Sequence, residues 1–456
     1  MLGFAIGIII TVIAAWLIIK NYQPQTVLLL AGLSLLVLTA VLFPENAILY
    51  SEKSKTVGSK FLDIFAFVKD SLTTQIAGIG LIIMAAGGFA DYMDHIRASG
   101  SMVRLCIKPL KLIKAPYIIL ALGYILGQLL HVAISSAAGL AMLLLVTFFP
   151  VLVRLGVSKA AAAAMIGMTA FMDLGPAVGT ANLAAKEAGL ETAVYFVSYQ
   201  LPIASGVMLV VAVLIFFTAR YFDKKDDHVV LQQEVDDAPQ DTAQAPSFYA
   251  VLPLIPIVLV IVFSPLVVQA IKVDVVTAMV IGTLIAFVAE LIVKRNFKDV
   301  CKGVQVFFKG MGGMFTSVVS LLVCADIFAQ GLKIIGAVDF IINSAQNSGF
   351  GVGMMTVVMA ILVCVTAAIT GSGVAAFFAF SKLAPSIAAK FGVSAASVIL
   401  PMQLMAGMGR SISPVAGVII AVSKAGECSP FMIVRRTVIP AVGGMITMLV
   451  LNAVFY

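Results

Sequence analysis

Two ionisable residues stand where an apolar neighbourhood should exclude them. Arg410 follows Met405-Ala406-Gly407-Met408-Gly409, and Asp173 lies within Phe171-Met172-Asp173-Leu174. Charges inside apolar segments are costly and usually functional. An arginine grips a carboxylate through two parallel hydrogen bonds, so Arg410 suits a carboxylate ligand. Asp173 either couples to a proton or cation or neutralises Arg410 as a structural ion pair, and the residues alone leave both open. Each lies beside an interrupted helix pattern, Gly175-Pro176-Ala177-Val178-Gly179 in one case and Ser413-Pro414-Val415-Ala416-Gly417 in the other. Two small polar knots accompany them, Ile134-Ser135-Ser136-Ala137-Ala138-Gly139 and Ile369-Thr370-Gly371-Ser372-Gly373. A broken helix presents unpaired N–H groups and a positive dipole end that hydrocarbon cannot satisfy. Ser135, Ser136, Gly139, Thr370, Gly371, Ser372 and Gly373, with Arg410, Ser411 and Ser413, are therefore a candidate cradle for a small anion. Asp173, Gly175, Thr180 and Asn182 are the candidates for a coupling ion, Na⁺ or H⁺. The structural alternative is that Ser and Gly only allow close helix packing; two pairs at matched positions favour binding. His131, four residues before Ser135, forms a formal Ser/His pair, but no orienting acid or oxyanion motif accompanies it. A packed or hairpin-lining role suits it better, as it does Gln128.

What must position these residues is a stack of membrane helices. The chain is 61% hydrophobic and 11% charged, with a mean hydropathy of +1.11, whereas soluble domains carry about 25% charged residues. Apolar runs near the roughly 20 residues that cross a bilayer occur at Leu2 to Ile19, Thr26 to Phe43, Thr73 to Met93, Lys159 to Asn182, Phe196 to Ala219, Tyr249 to Val268, Val273 to Val293, Gly312 to Gln330, Ala395 to Val422 and Val434 to Phe455. The knots divide two further regions, Pro116 to Val153 and Phe350 to Ala389, into short arms that suit re-entrant hairpins better than paired spans.

The two halves repeat. Lys and Pro follow the first break at ten and 26 residues from Pro176 (Lys186, Pro202), and the second at ten and 26 from Pro414 (Lys424, Pro440). Gly-Val-Ser recurs at Gly156 to Ser158 and Gly392 to Ser394. The segment before the first knot holds five basic residues, while its counterpart Gly331 to Gly349 holds only Lys333, so the repeats are expected to be inverted. Inverted repeats with interrupted helices are the architecture of secondary transporters, with the site at the repeat interface. Lys186 and Lys424 read as helix ends.

The formal charge of +7 does not form a nucleic-acid face. Segments 94–115 and 294–309 hold ten of the 29 basic residues, and the rest of the chain is close to neutral. The positive-inside rule places both in the cytoplasm, although Lys53, Lys55, Lys60 and Lys69 then fall outside. Five scattered Cys and three His make a disulfide framework, a metal site or a cofactor unexpected. The first apolar run lacks a basic leader and cleavage site and reads as a retained helix. The acid-rich stretch Arg220 to Ser247 reads as a mobile linker.

At Ser135-Ser136-Ala137-Ala138-Gly139-Leu140, Thr370-Gly371-Ser372-Gly373 with Phe377 to Phe380, Gly409-Arg410-Ser411-Ile412-Ser413-Pro414-Val415 and Ser429-Pro430-Phe431, the chain resembles the DcuC-type anaerobic dicarboxylate carriers of the ion transporter superfamily. The resemblance runs over nearly the whole chain, and Gly-Arg-x-x-Ser-Pro-Val is its most specific element. Val374 and Asp173 depart from the family pattern. The resemblance implies uptake, exchange or efflux of succinate, fumarate or malate in a bacterial inner membrane, by an elevator with a dimeric scaffold.

The expected fold is thus an all-α polytopic membrane protein, an inverted-repeat elevator-type secondary transporter of about ten transmembrane helices plus two re-entrant helical hairpins. The expected organisation is N-terminal scaffold helices over 1–72, a first repeat over 73–219 with hairpin 116–153, an acidic linker over 220–248, scaffold helices and a basic loop over 249–311, and a second repeat over 312–456 with hairpin 350–389. Small dicarboxylates, membrane lipid and a second copy of the chain are the expected partners. A cation/proton antiporter using Asp173, a carrier of another carboxylate and an intramembrane hydrolase using His131 and Ser135 are the competing readings. No filter-like carbonyl run suggests a channel.

Overall fold

Helix starts are written in the sequence as prolines and serines. Pro24, Pro116 and Pro430 open helices at the first turn, where a missing N–H costs nothing. Ser136, Ser158, Ser372, Ser394 and Ser429 each cap a helix by accepting a backbone N–H, the ordinary role of an N-cap hydroxyl. The computed structural model describes all residues except 1, 21, 47, 50–53, 55, 114, 227–244, 269, 338–339 and 341–350; for 19, 111 and 112 it describes the backbone only. Among the described residues all regular structure is helical.

Among the described residues, eight helices are long and apolar enough to cross a membrane, or nine if the bent pair Gly373–Ser381 and Leu383–Phe391 counts as one span. Six of the ten expected runs are among them. The other four fall short for local reasons. Leu2–Ile19 is a shorter apolar helix. Pro253 and Pro256 divide the Tyr249 run into a 3-10 segment, Ser247–Leu254, and a helix, Ile255–Val262. The breaks split the remaining two into Lys159–Gly167 with Gly179–Glu187 and Ala395–Ser411 with Gly417–Ala425. The spans the sequence withheld are the first arms of the two knotted regions, Pro116–Ala133 and Val352–Thr370. Their second arms, Ala137–Thr147 and Gly373–Ser381, are short, and the latter bends by 46° into Leu383–Phe391.

Two helices are longer than a bilayer needs. Lys60–His95 and Phe297–Ile334 run 36 and 38 residues, each through a π turn, at Ile76–Gly80 and Phe315–Val319. Lys60 and Lys69 therefore lie on a helix rather than in a loop, and Lys60 donates to the Pro44 carbonyl. Lys53 and Lys55 fall outside the described residues. The basic stretch 294–309 is also mostly helical, within Phe297–Met314. The expected linker is shortened: Leu201–Lys225 continues to Lys225, and Asp223 and Asp226 are paired with Arg436, Asp226 also with Arg435. The other five acids of that stretch lie outside the described residues.

Ala395–Ser411 is the central strut. Fourteen of its 17 residues are buried, as expected for a helix that is apolar all round. It packs against Val352–Thr370, Gly373–Ser381, Gly179–Glu187 and Pro430–Phe455. Gly-to-backbone approaches set these spacings: a Cβ at Gly409 would collide with the Cys364 carbonyl, and one at Gly407 would sit 2.6 Å from the Phe171 oxygen.

Candidate functional site

Ser136 and Ser372 occupy equivalent places at the two knots. Ser136 Oγ accepts from Gly139 N at 3.0 Å, and Ser372 Oγ accepts from Ala375 N at 3.2 Å. Each serine thus satisfies one of the four orphan amides at a helix start. The first two amides of each helix, Ala137 and Ala138 in one and Gly373 and Val374 in the other, have no intrahelical partner. Thr370 Oγ1 donates to the Thr366 carbonyl and accepts from Ser372 N at 3.3 Å. Gly371 closes the arm Val352–Thr370 in the left-handed region at φ +73°. Ser135 is half-buried.

Each knot meets the break of its own half. A Cβ at Gly371 would lie 2.9 Å from Ala416 N, and one at Gly373 would meet the Ala406 carbonyl. Gly407, next to Ala406, abuts Asp173 in the first break. Gly175 meets Val132 in the first knot's incoming arm. The outgoing arms cross over, so that Ala137–Thr147 packs on Gly417–Ala425 and Gly373–Ser381 on Gly179–Glu187. Near Gly139 the nearest foreign group is the Asp94 carboxylate, 3.6 Å from the position a Cβ would take.

Arg410 and Asp173 are paired with each other. Arg410 Nη2 donates to Asp173 Oδ1 at 2.8 Å and to the Ala170 carbonyl at 2.6 Å, and Nη1 donates to Oδ2 at 3.4 Å. The Asp173 side chain is 4% exposed and that of Arg410 14%. Asp173 adopts φ +49°, a conformation Asp tolerates better than most residues. His131 Nε2 lies 3.4 Å from Asp173 Oδ1, while Nδ1 is 3.0 Å from the Ile134 carbonyl. An acid does accompany His131, contrary to the sequence expectation, because a residue 42 positions later folds onto it.

The remaining first-break candidates are saturated with structural contacts. Gly175 N donates to Gln200 Oε1 at 3.3 Å. Asn182 Nδ2 donates to the Pro176 and Val178 carbonyls, and its Oδ1 accepts from Thr192. Thr180 is buried beside Gln403 Nε2, which also bonds the Asp173 carbonyl at 3.0 Å. Gln200 and Gln403 bond each other at 2.8 Å, and Gln128 reaches the Met168 carbonyl at 2.7 Å. Sequence reasoning missed Gln200 and Gln403; an amide inside an apolar helix was the available signal. At the second break Ser411 Oγ bonds back to Gly407 O at 3.0 Å. Ser413 is fully buried, and its Oγ has no hydrogen-bond partner among the described residues. Lys186 and Lys424 stand in the last turns of their half-helices.

Comparison with known proteins follows the same lines. The family model described as a C4-dicarboxylate anaerobic carrier, DcuC, matches residues 2–456. The probable anaerobic C4-dicarboxylate transporter DcuC of Vibrio cholerae is 38% identical over 451 residues, covering 99% of this chain and 97% of that protein. The anaerobic C4-dicarboxylate transporter DcuC of Escherichia coli K12 is 36% identical over 445 residues, covering 98% and 95%. Among solved structures, the YdaH transporter of Alcanivorax borkumensis is similar in fold, with a TM-score of 0.65 at 16% identity over 95% of this chain and 98% of that one. MtrF of Neisseria gonorrhoeae gives 0.65 at 14% identity, covering 95% of each. With its apolar spans and its match along the full described length, the chain belongs to the DcuC family of C4-dicarboxylate anaerobic carriers, and is a multi-pass transporter of the bacterial inner membrane rather than an enzyme.

Proposed function

We propose that this protein is a secondary active carrier of small dicarboxylates such as succinate, fumarate or malate, working by alternating access between inverted repeats. The observation that carries the reading is the pair of Ser-capped helix starts at Ser136 and Ser372, one per half, each leading into an arm packed on the other half's broken helix. A helix N-terminus is an anion site, and a four-carbon dicarboxylate offers two anions, one for each tip. The names borne by the relatives support the substrate class.

In this reading the free amides of Ala137, Ala138, Gly373 and Val374 hold the carboxylates, with Ser135 and Ser413 as further hydroxyl donors. Arg410 and Asp173 weld the two breaks together, and the exposed edge of Arg410 adds positive field. The hairpins and broken helices move as one body against a dimeric scaffold, in the elevator manner, coupled to H⁺ or Na⁺. An antiporter built on Asp173 loses support, because that carboxylate is already gripped by Arg410. The test is counterflow in proteoliposomes loaded with succinate, fumarate, malate, aspartate or citrate. Exchange of labelled succinate for the four-carbon substrates is expected, and its absence with all of them sinks the proposal.

A further inference from the structure

His131 stands in the last turn of Pro116–Ala133, the incoming arm of the first hairpin, and its side chain is fully buried. Both ring nitrogens meet oxygen acceptors. Nδ1 is 3.0 Å from the carbonyl of Ile134, the residue before Ser135 and Ser136, and Nε2 is 3.4 Å from Asp173 Oδ1. A carbonyl only accepts, so Nδ1 carries a proton and donates. Nε2 then has two states. Bare, it is an acceptor beside a carboxylate, and no described residue offers it a hydrogen bond. Protonated, it gives Asp173 an imidazolium as a second counter-ion beside Arg410, whose Nη2 holds the same Oδ1 at 2.8 Å.

The charges on the elements around this arm lie at its far end. Pro116–Ala133 packs on Ala137–Thr147, Leu201–Lys225, Lys159–Gly167, Phe149–Arg154 and Lys108–Leu112. Ala137–Thr147 contains no ionisable residue. In Leu201–Lys225, Arg220, Tyr221, Asp223, Lys224 and Lys225 fill the last turns, where Asp223 meets Tyr117 and Ser158. Tyr117 precedes His131 by 14 residues, about 21 Å along a helix. Lys159, next to Ser158 and paired with Glu427, shares that end. So do Arg154, four residues before Ser158, and Lys108–Leu112, which precedes Pro116. On the arm itself, Tyr124 is seven residues back, and Gln128 bonds the Met168 carbonyl. Asp173, backed by Arg410, is therefore the charge that the ring meets.

We propose that His131 is the proton-coupling residue of the carrier, taking H⁺ on Nε2 from one aqueous phase together with the substrate and giving it up to the other. The proposal rests on the dicarboxylate-carrier reading above. With the proton bound, His131 and Arg410 are two cations on one anion; without it, the trio is neutral. The added charge stands close behind the tip, because Nδ1–H holds the Ile134 carbonyl and the free amides of Ala137 and Ala138 follow just beyond. A dianion at the tip therefore binds the protonated carrier more tightly. By linkage, the proton binds the loaded carrier more tightly by the same factor. Proton and dicarboxylate load together and leave together, which is symport.

The experiment uses the whole protein in proteoliposomes with labelled fumarate, whose carboxyls are both stronger acids than those of succinate, so that the probe stays a dianion while the protein is titrated. Two readouts are taken. One is the half-saturating fumarate concentration in counterflow without an ion gradient, followed from about pH 5 to 8; the other is accumulation driven by an imposed pH gradient. In the wild type the half-saturating concentration is expected to rise with pH by at least about fivefold, the lower end of ordinary coupling factors, and the pH gradient to drive accumulation. His131→Gln, whose amide can still donate to the Ile134 carbonyl but takes no proton, is expected to exchange fumarate with a flat pH profile and to lose accumulation by the same factor. His131→Asn serves if that variant does not fold. A folded variant that keeps the wild-type pH profile or the wild-type accumulation overturns the proposal. So does a folded variant without counterflow at any pH, and so does a wild type that exchanges fumarate with a half-saturation independent of pH or with no response to the pH gradient. A wild type with no counterflow at all fails the dicarboxylate reading instead.

Discussion

Arg410 distinguishes a structural ion pair from a substrate ligand, and the two roles predict different losses. Arg410→Ala removes two short charge-assisted hydrogen bonds, at 2.8 Å to Asp173 and 2.6 Å to the Ala170 carbonyl, and a long one at 3.4 Å. Hydrogen bonds to charged groups contribute about 1.5–3 kcal/mol each. Two of them give roughly 3–6 kcal/mol, in agreement with the 3–5 kcal/mol typical when one partner of a buried pair is deleted. Arg410→Lys keeps the charge but loses the fork, and should lose about 1–2 kcal/mol. Asp173→Asn keeps a residue that tolerates φ +49° and removes only the charge. Because the Arg410 side chain is 14% exposed against 4% for Asp173, the stranded guanidinium reaches water more easily, so this variant should lose less than Arg410→Ala. The double variant Asp173→Asn with Arg410→Gln should recover about 0.5–3 kcal/mol relative to the sum of the single losses. Equilibrium unfolding in graded SDS, followed by circular dichroism, supplies the free energies, and counterflow on the same preparations supplies activity. An Arg410→Ala protein that unfolds at the wild-type SDS fraction yet has lost counterflow would refute the structural assignment: the guanidinium would then serve the substrate alone.

The tips and the Arg436–Asp223 pair carry further expectations. Gly371→Ala places a Cβ 2.9 Å from Ala416 N at a backbone φ of +73°, so a loss of about 1–3 kcal/mol and of counterflow is expected, measured by the same two assays. Ser136→Ala and Ser372→Ala each remove a cap worth about 1 kcal/mol; both proteins should fold, and a raised half-saturating succinate concentration in counterflow is the expected reading, with unchanged kinetics counting against the tip site. Arg436→Gln strands Asp223, which is fully buried and lies 2.6 Å from Arg436 Nη1. About 3–5 kcal/mol of SDS stability should go, with partial recovery when Asp223→Asn is added.

The local grammar of this chain was legible because it needs only neighbours. Ser136, Ser372, Ser158 and Ser394 cap helices within three residues of themselves, and Pro176 and Pro414 stand inside both breaks. Pairings between residues far apart in the chain were not legible. Arg410 meets Asp173 over 237 positions, Gln403 meets Gln200 over 203, and Ser71 meets Asp326 over 255. Nothing in the spacing of either partner announces the other; the helices fix such meetings, and a sequence pattern records only that each polar group stands in an apolar face. The same limit misjudged the spans. Hydropathy counted Lys159 to Asn182 and Ala395 to Val422 as crossings because their apolar content is high, but the Gly-Pro and Ser-Pro interruptions turn each into two half-helices whose polar groups are met by side chains from elsewhere. Gln128, Gln200, Gln403 and Asn182 satisfy the first break, whereas Ser413 at the second retains a buried hydroxyl without a partner. Two breaks equivalent in sequence are therefore unequal in chemistry. At the first, those four amides meet backbone groups; at the second, Gly371 of the tip packs on Ala416 beside the fully buried Ser413.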